Sequence, residues 1–225
     1  MMEDAFLHID TWIFDLDLTL YSPEAEIMSQ VRTRIAQYVE NYFKVSPEEA
    51  DEIRHGYWQK YGTTLGGLMA EFKVDPHGYL DFVHDVDMTR LLPDQGLRAS
   101  IDALPGRKVI FTNADAPYAE RILAARGLEN VFEDIFDIHR MKHLPKPAPA
   151  SYNALCSTLR INPETALFVE DSPQNLAPAK ALGMTTVWVR HCAGDESGIH
   201  ESHIDHEIAD VMQWLSAINV QERAV

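Results

Sequence analysis

Four apolar runs, each breaking off at a polar residue, constrain this chain more than any other feature. They are Trp12-Ile13-Phe14 before Asp15, Lys108-Val109-Ile110-Phe111 before Thr112, Ala166-Leu167-Phe168-Val169 before Glu170, and Thr185-Thr186-Val187-Trp188-Val189 before Arg190. A strand with one wet face alternates apolar and polar residues, whereas runs this continuous belong to strands covered on both faces, as in a parallel sheet between two layers of helices. Helical patterns separate the later runs: Pro117 to Arg126 closing on Gly127, Pro149 to Arg160, and Pro173 to Leu182 closing on Gly183. The fold class expected is therefore α/β, with a Rossmann-like parallel-sheet core and helices on both faces. Right-handed crossovers bring the C-terminal ends of such strands to one edge, where open α/β sheets bind ligands. The polar run ends are expected to converge there.

Residues 21 to 92 break this rhythm with helical periodicity and no strand pattern. Ile27, Val31, Ile35, Tyr38 and Tyr42 mark one apolar face, and Ser46-Pro47-Glu48-Glu49 is a capping box with proline at the first helical position. A further helix is expected over Leu65 to Phe72, and another from Asp75-Pro76. An all-helical lobe inserted directly after the first strand can hinge over the strand ends and exclude water from them. The expected division is a core of residues 1–20 and 93–225 and a cap of residues 21–92. Residues 194 to 206 read as a solvated loop before a last helix from His206 to Ile218.

The 225 residues carry 35 Asp+Glu against 19 Lys+Arg, a formal charge of −16. That field repels nucleic-acid backbones and anionic membranes, so neither polymer nor membrane is the expected partner, and an anionic substrate must meet local positive charge. No run approaches the roughly 20 apolar residues of a membrane span. The opening Met1-Met2-Glu3-Asp4 has no basic n-region, and Cys156 and Cys192 form neither a disulfide framework nor a metal motif. These features point to the cytoplasm. The oligomeric state is left open.

The chemistry sits at the run ends. Asp15 and Asp17 are two residues apart, so their side chains need not share a face: one can attack while the other moves protons. Thr112 offers a hydroxyl and Asn113 a backbone N–H for phosphoryl oxygens. Lys146, in Lys146-Pro147-Ala148-Pro149, has a backbone direction restricted by proline that can aim its ammonium inward. Glu170-Asp171 can ligate a hard divalent cation or cap the helix that follows. Each also has a plainer reading alone, as a strand-end acid, a turn, a surface loop or a cap.

Taken in order, these motifs resemble the haloacid dehalogenase-like superfamily in its phosphatase branch. Asp15-Leu16-Asp17-Leu18-Thr19 matches the first motif, Phe111-Thr112-Asn113 the second, Lys146-Pro147-Ala148-Pro149 the third, and Val169-Glu170-Asp171-Ser172 the fourth. The helical insertion falls where the family carries its type 1 cap. Within the superfamily the chain is most similar to the pyrimidine 5′-nucleotidases, through Asp15 to Tyr21, through Tyr61-Gly62-Thr63-Thr64-Leu65-Gly66-Gly67-Leu68 and through Lys73-Val74-Asp75-Pro76. Leu18 departs from the usual Asn or Gly, and Glu170 from the Asp of many relatives.

The resemblance implies a Mg²⁺-dependent phosphomonoesterase acting on a small phosphorylated metabolite, a nucleoside monophosphate. Asp15 would be the nucleophile and Asp17 the acid and base, with Lys146 neutralising charge and Thr112, Asn113 and Thr19 on the substrate. Mg²⁺ would be held by Asp15, the Asp17 carbonyl, Asp171 and Glu170, the last directly or through water. Other readings are a phosphatase of phosphoglycolate or a phosphosugar, a mutase similar to β-phosphoglucomutase, and a binding domain without catalysis. Tyr21, Tyr57, Trp58 and Tyr61 could stack on a base, although aromatics at helical spacing more often build core. His200, His203 and His206 are spaced so that a helix would spread their rings, which speaks against a zinc site there.

Overall fold

Alternate residues of the buried strands serve opposite layers of the molecule. The computed structural model describes residues 6–191 and 201–222. Among them six strands form one sheet in the order β3-β2-β1-β4-β5-β6: β1 (Thr11–Phe14), β2 (Arg107–Phe111), β3 (Asp134–Phe136), β4 (Ala166–Glu170), β5 (Thr185–Val189) and β6 (His206–Ile208). Every pairing is parallel. On β1, Trp12 and Phe14 point into a cluster with Leu97, Ile101, Ile122 and Leu215, while Ile13 points into a second cluster with Phe111, Phe168, Tyr152 and Leu176. Two dry faces explain why the strand sequences do not alternate.

Helices α1 (Ile27–Phe43), α2 (Pro47–Tyr61), α3 (Thr64–Phe72) and α4 (Pro76–Val83) follow β1, and α5 (Gln95–Asp102) leads into β2. Then come α6 (Ala116–Ala125), α7 (Pro149–Leu159), α8 (Pro173–Ala181) and α9 (Val211–Glu222). α5, α6 and α9 cover the Trp12 face, and α7 and α8 the Ile13 face. The capping box forms as expected: the Glu49 N–H donates to Ser46 Oγ at 3.3 Å, and the Ser46 N–H to Glu49 Oε2 at 3.0 Å. Thr63 and Asp75 cap α3 and α4 with their side chains. No helix of the described residues is long and apolar enough to cross a membrane.

Three sequence expectations need correction. β3 is a three-residue edge strand with only Phe136 fully buried, too short to stand out as an apolar run. His206 does not start the last helix but lies in edge strand β6, drawn into the sheet by its pairing with β5; α9 begins five residues later, where Asp210 accepts from the Gln213 N–H. On α1 the buried residues are Ile27, Val31 and Val39, while Tyr42 is 43% exposed and packs edge-on against Phe72. Cys192 and His200 lie outside the described residues. Cys156 is half-buried on α7, and His203 Nε2 meets the Pro173 carbonyl at 2.9 Å.

The crossing of α2 and α3 depends on Gly67. A methyl group there would lie 2.7 Å from Tyr57 Cβ and closer still to the Tyr57 ring. Gly67→Ala is expected to force the helices apart and lower stability by about 1–3 kcal/mol, as overpacking does, measured by urea denaturation.

Candidate active site

Sheet register builds the site. Phe14 pairs with Ile110 on β2 and Val169 on β4, and the next N–H along, that of Asp15, donates to the Val169 carbonyl at 2.9 Å. Asp15 therefore leaves the sheet between Thr112 and Glu170. The chain then turns sharply, with Thr19 and Leu20 N–H groups both donating to the Leu16 carbonyl. Leu18 sits in the left-handed region at φ +58°, which accounts for Asn or Gly being usual there. Leucine bears that strain while its carbonyl meets the His191 ring.

Lys146 enters from the loop before α7. Asn113 clamps its main chain from both sides: the Lys146 N–H donates to Asn113 Oδ1 at 2.8 Å, and Asn113 Nδ2 donates to the Lys146 carbonyl at 3.2 Å. The ammonium then donates to Asp15 Oδ1 at 2.7 Å, Glu170 Oε2 at 2.7 Å and the Phe111 carbonyl at 2.8 Å, with the Phe111 and Phe168 rings alongside. An ammonium has three hydrogens, and each has an acceptor. Glu170 is equally committed, since its other oxygen accepts the Ser172 N–H at 3.2 Å. It holds the lysine and the Ser172 main chain just before α8 at once.

Burial, helped by the neighbouring Glu170 carboxylate, pushes Asp15 up to about 7 despite Lys146. Glu170 is also pushed up to about 7, mainly by burial, and Asp171 to about 6 by burial and then by Asp15. For Lys146, burial works to lower the value, and Asp15 and Glu170 outweigh it to keep the ammonium above its ordinary range. Carboxylate oxygens of Asp15, Glu170 and Asp171 lie within 4.8 Å of one another. Three crowded acids facing one lysine, all with hard oxygen donors, are suited to a divalent cation of the Mg²⁺ type.

Asp17 stands apart from that trio. Its Oδ1 accepts from Tyr21 at 2.5 Å and from Tyr118 at 2.8 Å. Burial raises its pKa, and the two phenols, with His84 beyond them, only partly oppose this. Thr19 Oγ1 lies 3.5 Å from Asp15 Oδ2, at the limit of a hydrogen bond. Thr112 is buried, and its hydroxyl oxygen accepts the Ala114 N–H at 3.0 Å, holding the turn after β2. Two cavities open here between helices α1–α4 and the strand ends. One of about 860 Å³ is lined by Lys146, Asn113, Arg54, His55 and Trp58; the other, about 240 Å³, reaches Asp17 and Tyr118.

Residues 9–183 match the haloacid dehalogenase-like hydrolase family. The chain belongs to this family. Phosphate metabolism protein 8 of Saccharomyces cerevisiae is 23% identical over 189 residues, which cover 77% of the chain and 59% of that protein. Phosphoglycolate phosphatase of Haemophilus influenzae is 28% identical over 110 residues, 48% of each. The chain thus spans about three-fifths of the first relative's length and about half of the second's. A HAD phosphatase from Thermococcus onnurineus shares the fold, with a TM-score of 0.60 at 21% identity over 93% of this chain and 97% of that one.

The structure places all eight residues expected at the site on the strand ends or the loops beside them. Sequence reasoning missed Tyr118, His84 and Asp115. Tyr118 lies on α6, about a hundred positions from the aspartate it holds, and no spacing rule links the two. Tyr21, weighed only as a stacking ring, was within reach through its separation of four residues from Asp17.

Lys146→Met would leave Asp15 and Glu170 buried without their cation. At pH 8 the expected cost is about 3–5 kcal/mol, the usual range for breaking a buried pair. Both carboxylates have raised folded-state values, so at pH 5.5 they take up protons and the penalty shrinks. Urea denaturation of wild type and variant at the two pH values measures the difference; an equal cost at both would refute the assignment.

Proposed function

We propose that this haloacid dehalogenase-like hydrolase is a Mg²⁺-dependent phosphomonoesterase working through an aspartyl-phosphate, with pyrimidine nucleoside monophosphates as substrates. The observation that carries the reading is the division of labour between the two aspartates. Asp15 has one oxygen fixed by Lys146 and the other without a strong partner, whereas Asp17 is turned by two phenols toward a separate cavity.

In the first step Asp15 Oδ2 attacks phosphorus, and the bond to the ester oxygen breaks as Asp17 delivers a proton to that oxygen. In the second step Asp17 takes a proton from water, which attacks the phosphoryl group and frees Asp15. Burial favours a protonated Asp17 when substrate arrives. Lys146 acts by charge, because its three hydrogens are already engaged; the Thr112 hydroxyl, the Asn113 N–H and Thr19 orient the transferring group. Mg²⁺ would be held by Asp15, Asp171 and the Asp17 carbonyl, with Glu170 reaching it through water, and would supply positive charge against the repulsion between carboxylate and phosphate.

The nucleotide assignment is supported by the resemblance over residues 61–76 and by the room available. A two-carbon glycolate leaves most of the paired cavities, about 860 and 240 Å³, empty, and they have room for the larger nucleoside. Of the four candidate stacking rings, Tyr21 holds Asp17 and Tyr57 and Tyr61 both donate to Glu71; Trp58, 56% exposed, lines the larger cleft.

Asp15→Asn should cut phosphate release from UMP by about 10⁴-fold or more, as loss of a nucleophile does. Wild type should release phosphate from UMP, CMP, dUMP and TMP faster than from AMP, GMP or phosphoglycolate, with no bisphosphate activator. Equal rates on purines and pyrimidines would defeat the pyrimidine assignment, and a requirement for an activator would favour a mutase. Mg²⁺ should raise Tm more at pH 8 than at pH 5.5, because the acids pushed up to about 6 and 7 must shed protons to bind it; differential scanning fluorimetry reads this directly.

A further inference from the structure

The smaller cavity has a composition unlike the rest of the site. It is about 240 Å³ and is walled by Met28, Val31 and Ile35 of α1, Leu65 of α3, and Leu80 and Val83 of α4, with Asp17 at its core end. Among the described residues no lysine or arginine lines it. The cations near the strand ends, Lys146 and Arg54, face the larger cleft. The one buried ion pair at its wall is His84 with Asp115, joined Nδ1 to Oδ1 at 2.7 Å, and the His84 ring stacks on Tyr118 with centroids 4.1 Å apart.

That pair cannot make the cavity electropositive. If His84 is protonated the pair is neutral overall; if it is not, Asp115 leaves a negative charge. The other ring at the wall, His143, is shifted by burial toward its neutral form. No ammonium or guanidinium faces the space among its lining residues, and the nearby Arg121 is spent on the His84 and Val86 carbonyls at 2.9 and 3.1 Å. An anion entering would lose its hydration without gaining a cation. A flat apolar body gains from the same walls, and His84 Nε2, without a hydrogen-bond partner among the described residues, offers one neutral polar contact.

We propose that this cavity is the leaving-group subsite and that it selects phosphomonoesters whose alcohol carries no charge, rejecting those with a carboxylate or a second phosphate. The proposal rests on the phosphatase reading above, in which Asp17 protonates the departing oxygen and so marks where the alcohol lies. It goes beyond the nucleotide assignment, because it concerns charge whatever the alcohol is. It also separates this enzyme from phosphatases of glycolate or glycerate esters, whose leaving groups are anions.

The test uses the full chain with saturating Mg²⁺ and two esters matched in size and reactivity, 4-carbamoylbenzyl phosphate and 4-carboxybenzyl phosphate. The neutral ester is expected to have a kcat/KM about thirtyfold or more above that of the anionic one, reflecting an uncompensated buried charge. Met28→Lys, which places an ammonium in the wall at a partly buried position, should narrow that ratio to within about threefold by raising activity on the carboxylate, since pairing offsets the desolvation of a buried ion. Should the variant not fold, the wild-type ratio alone decides. Equal or better turnover of the carboxybenzyl ester by wild type would overturn the proposal while leaving the phosphatase intact. UMP assayed in parallel keeps the two readings distinct: neutral esters preferred with no turnover of UMP would sink the nucleotide assignment and leave this subsite standing.

Discussion

Three hydrogens on one ammonium organise this molecule. Lys146 spends them on Asp15, Glu170 and the Phe111 carbonyl, and these belong to the ends of β1, β4 and β2, the three adjacent central strands of the sheet. Few arrangements tie sequence-distant segments so tightly, because each hydrogen bond is buried and two of the three acceptors are charged. The sheet brings those strand ends together, and the lysine makes a collection of buried acids tolerable. Without a cation among them, the carboxylates would remain protonated near neutrality and lose their use as nucleophile and ligands.

The same economy appears in how the two aspartates are told apart. They are separated by a single residue, Asp15 buried and Asp17 half-buried, yet Asp15 faces an ammonium and Asp17 faces two phenols. A cation favours the ionised form and leaves a carboxylate oxygen ready to attack. Phenols fix orientation while adding no full charge, so burial can hold the second acid toward its protonated form. Their partners supply the difference in chemistry.

Much of this was legible before any coordinates. Continuous apolar runs ending at Asp15, Thr112 and Glu170 announced both the parallel sheet and the edge where the chemistry gathers, since a strand buried on both faces can only be wet at its end. Ser46 to Glu49 announced a helix start with its cap. What stayed hidden was short or non-local. β3 and β6 have three residues each and sit at the sheet edges, so their identity comes from a neighbour's hydrogen bonds and not from their own composition. Tyr118 and the His84–Asp115 pair are assembled by the packing of the insertion against α6, and no local pattern encodes such a meeting. Glu170 was read as either a metal ligand or a cap; the fold commits one of its oxygens to Lys146 and the other to the start of α8.

The clamp on Lys146 has a consequence for how the chain can vary. Asn113 grips both the N–H and the carbonyl of that residue, so the lysine backbone is referenced to the end of β2 and not to the segment that leads up to it. Residues 137–145 bury Ile138 and Met141 and set His143 in the wall of the smaller cavity, so a change there reshapes that wall while the clamp still dictates where the ammonium stands.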